Sequence, residues 1–283
     1  MPDLSGAPKL KQLILQRCIG LSKIHASLGN LKCLIRLNLN GCKCLESLPE
    51  NLGNIKGLEV LNVSETAITE LPSSFVLLKN LKVLSLRRCK GLSSISSNKF
   101  LSFPLIQKRR VDPTDILGRT LSNLWSLTEL NLSYCNFQAI PDSLGCLSSL
   151  ENLYLSYCNL QAIPDGLGCL SFLKDLDLRG NNFVCLPEST TQLSNMRCLL
   201  LCGCTHLRSL PKLPSNIEYI DAEGCASLEI LPLRPKDGPC SELYLLGCGK
   251  LIKNEDYDGM LLANLRHHII KVSLSLSLSL SRL

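Results

Sequence analysis

The sequence predicts an α/β solenoid, a curved stack of short parallel strands joined by irregular or short helical arcs. Three observations carry the prediction. Two adjacent blocks of 23 residues, SYCNFQAIPDSLGCLSSLENLYL from Ser133 and SYCNLQAIPDGLGCLSFLKDLDL from Ser156, agree at 17 positions. The pattern inside them, L-x-x-L-x-L-x-x-C followed by an apolar residue and Ile/Leu-Pro, recurs along most of the chain. Its second leucine-type position falls at Leu13, Leu37, Leu61, Leu84, Leu130, Leu153, Leu176, Leu199, Ile220 and Leu243, at intervals of 24, 24, 23, 46, 23, 23, 23, 21 and 23. A fixed period of this length marks a stack of identical supersecondary units.

Each element follows from the spacing. L-x-L has period two, so it forms a short strand with its leucines on one face. A single such strand cannot bury that face; stacked neighbours bury a continuous core, and each ladder leucine contributes about 1.5–3 kcal/mol. The segments SLGNLKCL, NLGNIKGL and SLGCLSSL read as single helical turns on the outer curve. The result is a leucine-rich-repeat horseshoe over residues 1–251, with short parallel strands on the concave face and irregular or short helical convex arcs. The interval of 46 is twice 23, which reads as one repeat that degenerated but kept its length: ten clear repeats and one damaged. The damage falls on residues 96–123, where Lys108, Arg109 and Arg110 make a basic run between Pro104 and Pro113. It reads as a solvated loop, with a nuclear-import or phosphate-contacting patch as the weaker alternative. The interval of 21 follows from LPKLPSN, a Pro-rich crossing in place of the helical turn. Beyond Leu251, Tyr257, Leu261, Leu265 and His268 stand at helical spacing and predict a capping helix over 252–271. Residues 272–283, a Ser-Leu alternation, form a low-complexity tail that reads as a translated dinucleotide repeat.

Eight of the sixteen cysteines share one repeat position: Cys18, Cys42, Cys89, Cys135, Cys158, Cys204, Cys225 and Cys248, with Thr66 and Asn181 in it elsewhere. This column is expected to tuck into the turn after each strand and hydrogen-bond the backbone of that turn. It is a structural column, not a disulfide framework. With no signal-peptide pattern at MPDLSGAPKLKQ and no apolar run long enough to span a bilayer, a reducing, cytoplasmic setting is expected, with nuclear entry as an addition. The sequons at Asn62 and Asn131 fall on expected strands and are discounted.

No phosphate-binding loop, dinucleotide fingerprint or nucleophile elbow is present in the sequence. Cys42-x-Cys44 and Cys202-x-Cys204 each share a member with the structural column, so a zinc site would have to break the fold. The expectation is therefore no catalytic residues, no cofactor, no metal and no nucleic-acid partner, the formal net charge of +6 being mild for 283 residues. What a solenoid offers is a surface, and the residues flanking the strand leucines are expected to face its concave side. The first half of that face is basic, with Arg17, Arg36, Arg87 and Arg88. The second is acidic and tyrosine-rich, with Tyr134, Tyr154, Tyr157, Asp175, Asp177, Arg179, Tyr219, Asp221, Glu223 and Tyr244. Tyrosine and arginine dominate binding hot spots, and the charge gradient suits a protein ligand of matching polarity.

The stretch LKQLILQRCIGLSKIHASLGNLKCLIRLNLNGCKCLESLPENL resembles the repeat domain of plant intracellular nucleotide-binding immune receptors, especially the class with an N-terminal Toll/interleukin-receptor domain. ETAITELPSSF, the FPLIQKRR insert and LPKLPSNIEYIDAEGCASLEIL are similar to variants of the same family, and the resemblance covers about residues 1–270. It implies a module that senses a pathogen effector or a guarded host protein and holds a nucleotide switch inactive, with the receptor's own nucleotide-binding domain as a second partner. The family's NAD-cleaving and ATP-binding residues find no counterpart here, so a fragment, a truncated paralogue or an incomplete gene model is expected, with an exposed, aggregating edge at Leu10–Leu15. The alternative is a standalone scaffold or decoy that binds receptor or kinase partners without signalling. An extracellular ectodomain is disfavoured by Cys where such ectodomains carry Asn and by the missing G-x-I-P element.

Overall fold

The computed structural model describes residues 1–92, 120–121, 123–232 and 242–251. Ten three-residue strands form one parallel sheet in chain order: β1 (Gln12–Ile14), β2 (Arg36–Asn38), β3 (Val60–Asn62), β4 (Val83–Ser85), β5 (Glu129–Asn131), β6 (Asn152–Tyr154), β7 (Asp175–Asp177), β8 (Cys198–Leu200), β9 (Tyr219–Asp221) and β10 (Glu242–Tyr244). The register sets the ten ladder positions read from the sequence directly opposite one another, from Leu13 through Leu243. From Leu37 to Ile220 they have no exposed surface. Leu13 and Leu243, with a strand on one side only, are partly buried. Leu10 and Leu15 are partly buried as well, so the first edge is half covered rather than bare.

The doubled interval is not an extra rung. β4 pairs directly with β5, Val83 opposite Glu129 and Leu84 opposite Leu130, so no strand of a damaged repeat stands between them. Strand pairing depends on the backbone groups of the two partners, and lengthening the connection between them costs little: each doubling of a loop adds only about 0.6 kcal/mol of closure entropy. Most of the span, with Lys108–Arg110, lies outside the described residues, as do the helix expected over 252–271 and the tail 272–283.

On the convex side, turns of 3-10 helix that lie wholly within the described residues occur at Ala26–Asn30, Glu50–Asn54, Ser73–Leu77, Asp142–Cys146, Asp165–Cys169 and Glu188–Gln192. Five of them start after a proline in extended conformation, which suits a residue whose missing N–H is not needed at a helix start. Each turn sends its third residue into the core, and the fourth is glycine where the next turn packs against it. A Cβ on Gly53 would overlap the Ser74 carbonyl, and one on Gly168 would meet the Ser189 carbonyl. After Glu188–Gln192 the Pro-rich crossing follows, with no 3-10 turn, and the same position is Thr191.

The cysteine column links neighbouring repeats. Cys42, Cys89, Cys135, Cys158, Cys204, Cys225 and Cys248 are buried. Their thiols donate to the carbonyls of Leu15, Val63, Leu86, Leu132, Leu178, Leu201 and Ala222 at 3.0–3.2 Å. Each of these acceptors belongs to the preceding repeat; Cys135 and Cys158 also reach their own turns, at the carbonyls of Ser133 and Ser156 at 3.7 and 3.6 Å, as the sequence pattern suggested. Carbonyls at the strand ends point along the sheet, toward the next repeat, which is where the thiol arrives. Asn181 does more from the same position: its amide donates to the carbonyls of Leu155 and Leu178 and accepts from the N–H groups of Cys158 and Leu160. Thr66 donates to Val63 within its own repeat, at 2.7 Å, and its hydroxyl also lies 3.4 Å from the Cys89 thiol of the next. Cys18, in the first repeat, is exposed.

Two predictions follow from this packing. Gly53→Ala should cost about 1–3 kcal/mol through overpacking, whereas Thr191→Ala in the same column should cost about 1 kcal/mol or less, both read from urea unfolding midpoints. Burial pushes the thiols of Cys158, Cys204 and Cys248 up to about 11. At pH 8 roughly one in a thousand of each is thiolate, the reactive form. Alkylation of the native chain followed by mass spectrometry should therefore label the exposed Cys33, Cys146 and Cys169 and spare that buried column until denaturant is added.

Candidate functional site: the concave face and its rim

Side chains alternate along a strand, so the first and third residues of each strand and the residue two beyond face the concave side. Arg36, Asp175 and Tyr219 open β2, β7 and β9. Tyr154, Asp177, Asp221 and Tyr244 close β6, β7, β9 and β10. Arg87, Arg179 and Glu223 stand two residues beyond their strands. The remaining four, Arg17, Arg88, Tyr134 and Tyr157, occupy the next position, a separate rim column at which every repeat turns out of the sheet.

The rim column has left-handed backbone in all ten repeats, with φ from 54° to 83°. Gly41, Gly180, Gly203, Gly224 and Gly247 take this conformation without strain; Arg17, Glu65, Arg88, Tyr134 and Tyr157 take it at about 1–2 kcal/mol each. Four of the five fall in consecutive repeats, β3 to β6, and their side chains touch. Glu65 accepts from Arg88 at 3.0 Å and lies 3.6 Å from Arg87. The guanidinium carbons of Arg87 and Arg88 sit 4.9 and 4.8 Å from the centre of the Tyr134 ring. Tyr134 stacks on Tyr157 with centroids 4.8 Å apart and planes 17° from parallel. The Tyr157 ring covers Gly180, where a Cβ would collide with it. Beneath this rail Ser133 and Ser156 are buried and bonded to each other at 3.0 Å. Sequence reasoning missed Glu65, which anchors both arginines; its place in the rim column, one repeat before Arg88, is the signal that would have found it.

The third strand position has a structural task of its own. Asn38, Asn62, Asn131, Asp177 and Asp221 each accept, through Oδ1, the N–H two residues on. Asp177 is almost fully buried and also takes a bidentate pair of bonds from Arg179, at 2.9 and 2.8 Å. The structure thus joins Asp177 and Arg179 into one neutral unit instead of presenting two opposite charges to a partner. The hydrogen bond to Asp177 raises the Arg179 guanidinium further above its ordinary range.

Over β6 to β10 the tyrosine hydroxyls stand among carboxylates. Burial, then Glu129 and Asp175, push the Tyr154 hydroxyl up; burial, then Asp221, do so for Tyr219; and the bond to Glu242 does so for Tyr244. Tyr219 and Tyr244 lie with ring centroids 5.4 Å apart. The pair Cys202-x-Cys204 does not assemble: Cys204 is committed to the core, and Cys202 instead approaches Asp221 and Glu223, with ligand-type atoms within 4.8 Å of one another. Burial and the two carboxylates push the Cys202 thiol up, which keeps it protonated.

Residues 1–139 match the model of the leucine-rich repeat region and residues 149–170 that of the leucine-rich repeat. The chain is 33% identical over 229 residues to disease resistance-like protein DSC1 of Arabidopsis thaliana, covering 80% of this chain and 15% of that protein. It is 32% identical over 139 residues to TMV resistance protein N of Nicotiana glutinosa, covering 48% and 10%. Disease resistance protein RPS4B of Arabidopsis thaliana is 31% identical over 246 residues, covering 81% and 17%. The chain thus spans between 10% and 17% of the length of these relatives. Among solved structures, the TLR13–ssRNA13 complex aligns with a TM-score of 0.60 at 23% identity over 88% of this chain and 37% of that one. Internalin C2 of Listeria monocytogenes aligns at 0.55 and 16%, over 87% and 92%. At these identities the structures share the fold. No helix among the described residues is long and apolar enough to cross a membrane.

Asp177 separates its two tasks by substitution. Asp177→Asn keeps the Oδ1 acceptor and loses the ion pair, and should cost about 1 kcal/mol; Asp177→Ala loses both and should cost about 2–3 kcal/mol. Urea unfolding at neutral pH with an unchanged slope checks the order.

Proposed function

We propose, from the premise that this chain is a leucine-rich-repeat protein related to plant disease resistance proteins, that its concave face and rim form a protein-recognition surface. The partner is a pathogen effector or a guarded host protein, and the same surface restrains the nucleotide-binding part of the receptor until the partner arrives. The cytoplasm is the compartment in which such a partner is met. The function is recognition rather than catalysis.

One observation carries the reading. In four consecutive repeats the rim holds Glu65, Arg88, Tyr134 and Tyr157 where glycine would be conformationally cheaper, and these side chains support one another in an ordered, half-exposed rail. Strained backbone at a surface position is kept where the side chain has work to do outside the core. Arginine held flat over tyrosine presents fixed donors and rigid aromatic area, so little side-chain entropy is lost when a partner docks. The rail's own contacts are worth little to stability, about 0–1 kcal/mol for each exposed ion pair.

The test compares capture of partners from plant cells by the wild-type chain, by Arg87→Glu/Arg88→Glu and by Leu153→Ala. The double arginine variant should keep its unfolding midpoint and lose a defined set of captured proteins. Leu153→Ala should lose about 2–5 kcal/mol of stability, since Leu153 is fully buried. Unchanged capture by the folded arginine variant would sink the reading.

A further inference from the structure

We propose that the concave surface over β7, β8 and β9 seats a lysine- or arginine-rich segment of a protein partner. This rests on the recognition reading above and names the chemistry its acidic half would accept.

β8 differs from its neighbours. Its concave side chains are Cys198, Leu200 and, two residues beyond, Cys202, all half-buried and none charged. The register puts carboxylates on both flanks: Asp175 lies opposite Cys198 from β7, and Asp221 lies opposite Leu200 from β9. Glu223 comes close to Cys202. β8 is thus a neutral strip with Asp175 on its β7 side and Asp221 and Glu223 on its β9 side, and with the Arg179 guanidinium, held by Asp177, close enough to act on Cys202. Asp177, on the β7 side, is already neutralised by Arg179. Among the described residues, Asp175, Asp221 and Glu223 have no ion-pair partner. The basic residues that precede these strands make their ion pairs with other groups, Lys174 with Glu151 at 2.8 Å and Arg197 with Glu218 at 3.8 Å, while still acting on Asp175 from a distance.

A strip of this kind fits one class of side chain. Lysine and arginine lay an aliphatic stem along apolar surface and keep a cationic head at its edge. Leu200 and the two thiols would take the stem, and Asp175, Asp221 and Glu223 the head. Tyr219, opposite Cys198 on the β9 side, adds an aromatic ring for the cation. An acidic or phosphorylated segment would meet three unpaired carboxylates. The formal net charge of the chain is +6, so its overall field repels a cationic peptide. Attachment at this place would be local and not a bulk effect. Burial first, then Asp175 and Asp177, push the Cys198 thiol up to about 11, with Arg179 opposing them.

The experiment measures fluorescence anisotropy of a short labelled peptide that alternates glycine with arginine and lysine, titrated with the full chain at low and at physiological ionic strength. A glutamate counterpart serves as the opposite-charge probe. Asp221→Asn/Glu223→Gln removes two charges from the side of the strip. The asparagine keeps the backbone cap that Asn38, Asn62 and Asn131 provide at the same strand position. Asp165→Asn/Glu188→Gln makes the same change in net charge on the convex arcs. The wild-type chain should bind the basic peptide. The strip variant should weaken it by at least about tenfold with an unchanged circular dichroism spectrum, and the convex variant should leave it unaltered. No binding by the wild type, equal weakening in both variants, or preference for the glutamate peptide would each overturn the proposal. If the peptide fails while capture still depends on Arg87 and Arg88, this inference falls alone; if both fail, the recognition reading falls with it.

Discussion

The structure depends on one constraint: no repeat can bury its own leucine. A three-residue strand offers a single inward side chain, and that side chain is covered only when a strand lies on each side of it. Every rung from Leu37 to Ile220 meets this condition and is fully buried. The period of about 23 residues is the consequence, because the chain must return to the same edge of the stack with the same face inward each time. The thiol and amide column adds a second tie between repeats, in which a side chain of one repeat satisfies a strand-end carbonyl of the one before. Buried carbonyls must be satisfied somewhere, and a small donor at that position does it without opening the core.

The same constraint explains what the fold tolerates. A connection between strands can lengthen without disturbing the ladder, and β4 meets β5 directly across 46 residues of sequence. It can also shorten, as at the Pro-rich crossing before β9. What it cannot do is add a Cβ where two convex turns touch. Freedom in length and rigidity in shape thus coexist in the same arcs.

Function is left to the positions that the ladder does not use. The concave face and the rim are free of core duty in most repeats, but not in all of them. Asp177, Asp221 and three asparagines hold the backbone as it leaves the strand, and Asp177 is sealed under Arg179. The side chains that remain divide along the stack. From β3 to β6 they make a rail of Glu, Arg and Tyr; from β7 to β9 Asp175, Asp221 and Glu223 flank a neutral strand. A protein partner that spans both would have to match two unlike surfaces, and that is where selectivity in a repeat protein arises.

The repeat period, the ten ladder positions, the cysteine column and the convex turns were legible in the amino-acid sequence, because each is a local pattern copied many times. Periodicity alone settles which residues are buried when every unit must present the same face. Arithmetic on spacing could not say whether a strand stands between Leu84 and Leu130; the direct pairing of β4 with β5 shows that none does. Residue type named Arg87, Arg88, Tyr134 and Tyr157 as surface candidates, but not that they lie against one another, nor that Glu65 anchors them. Asp177 and Arg179 read as two charges and are one ion pair. These contacts join residues 23 or about 46 positions apart, or depend on burial, and they exist only once the stack sets neighbouring repeats side by side. The sequence by itself determined the solenoid and its core; the tertiary structure decided which surface groups remain available to a partner, since availability is what is left after neighbours have neutralised and covered one another.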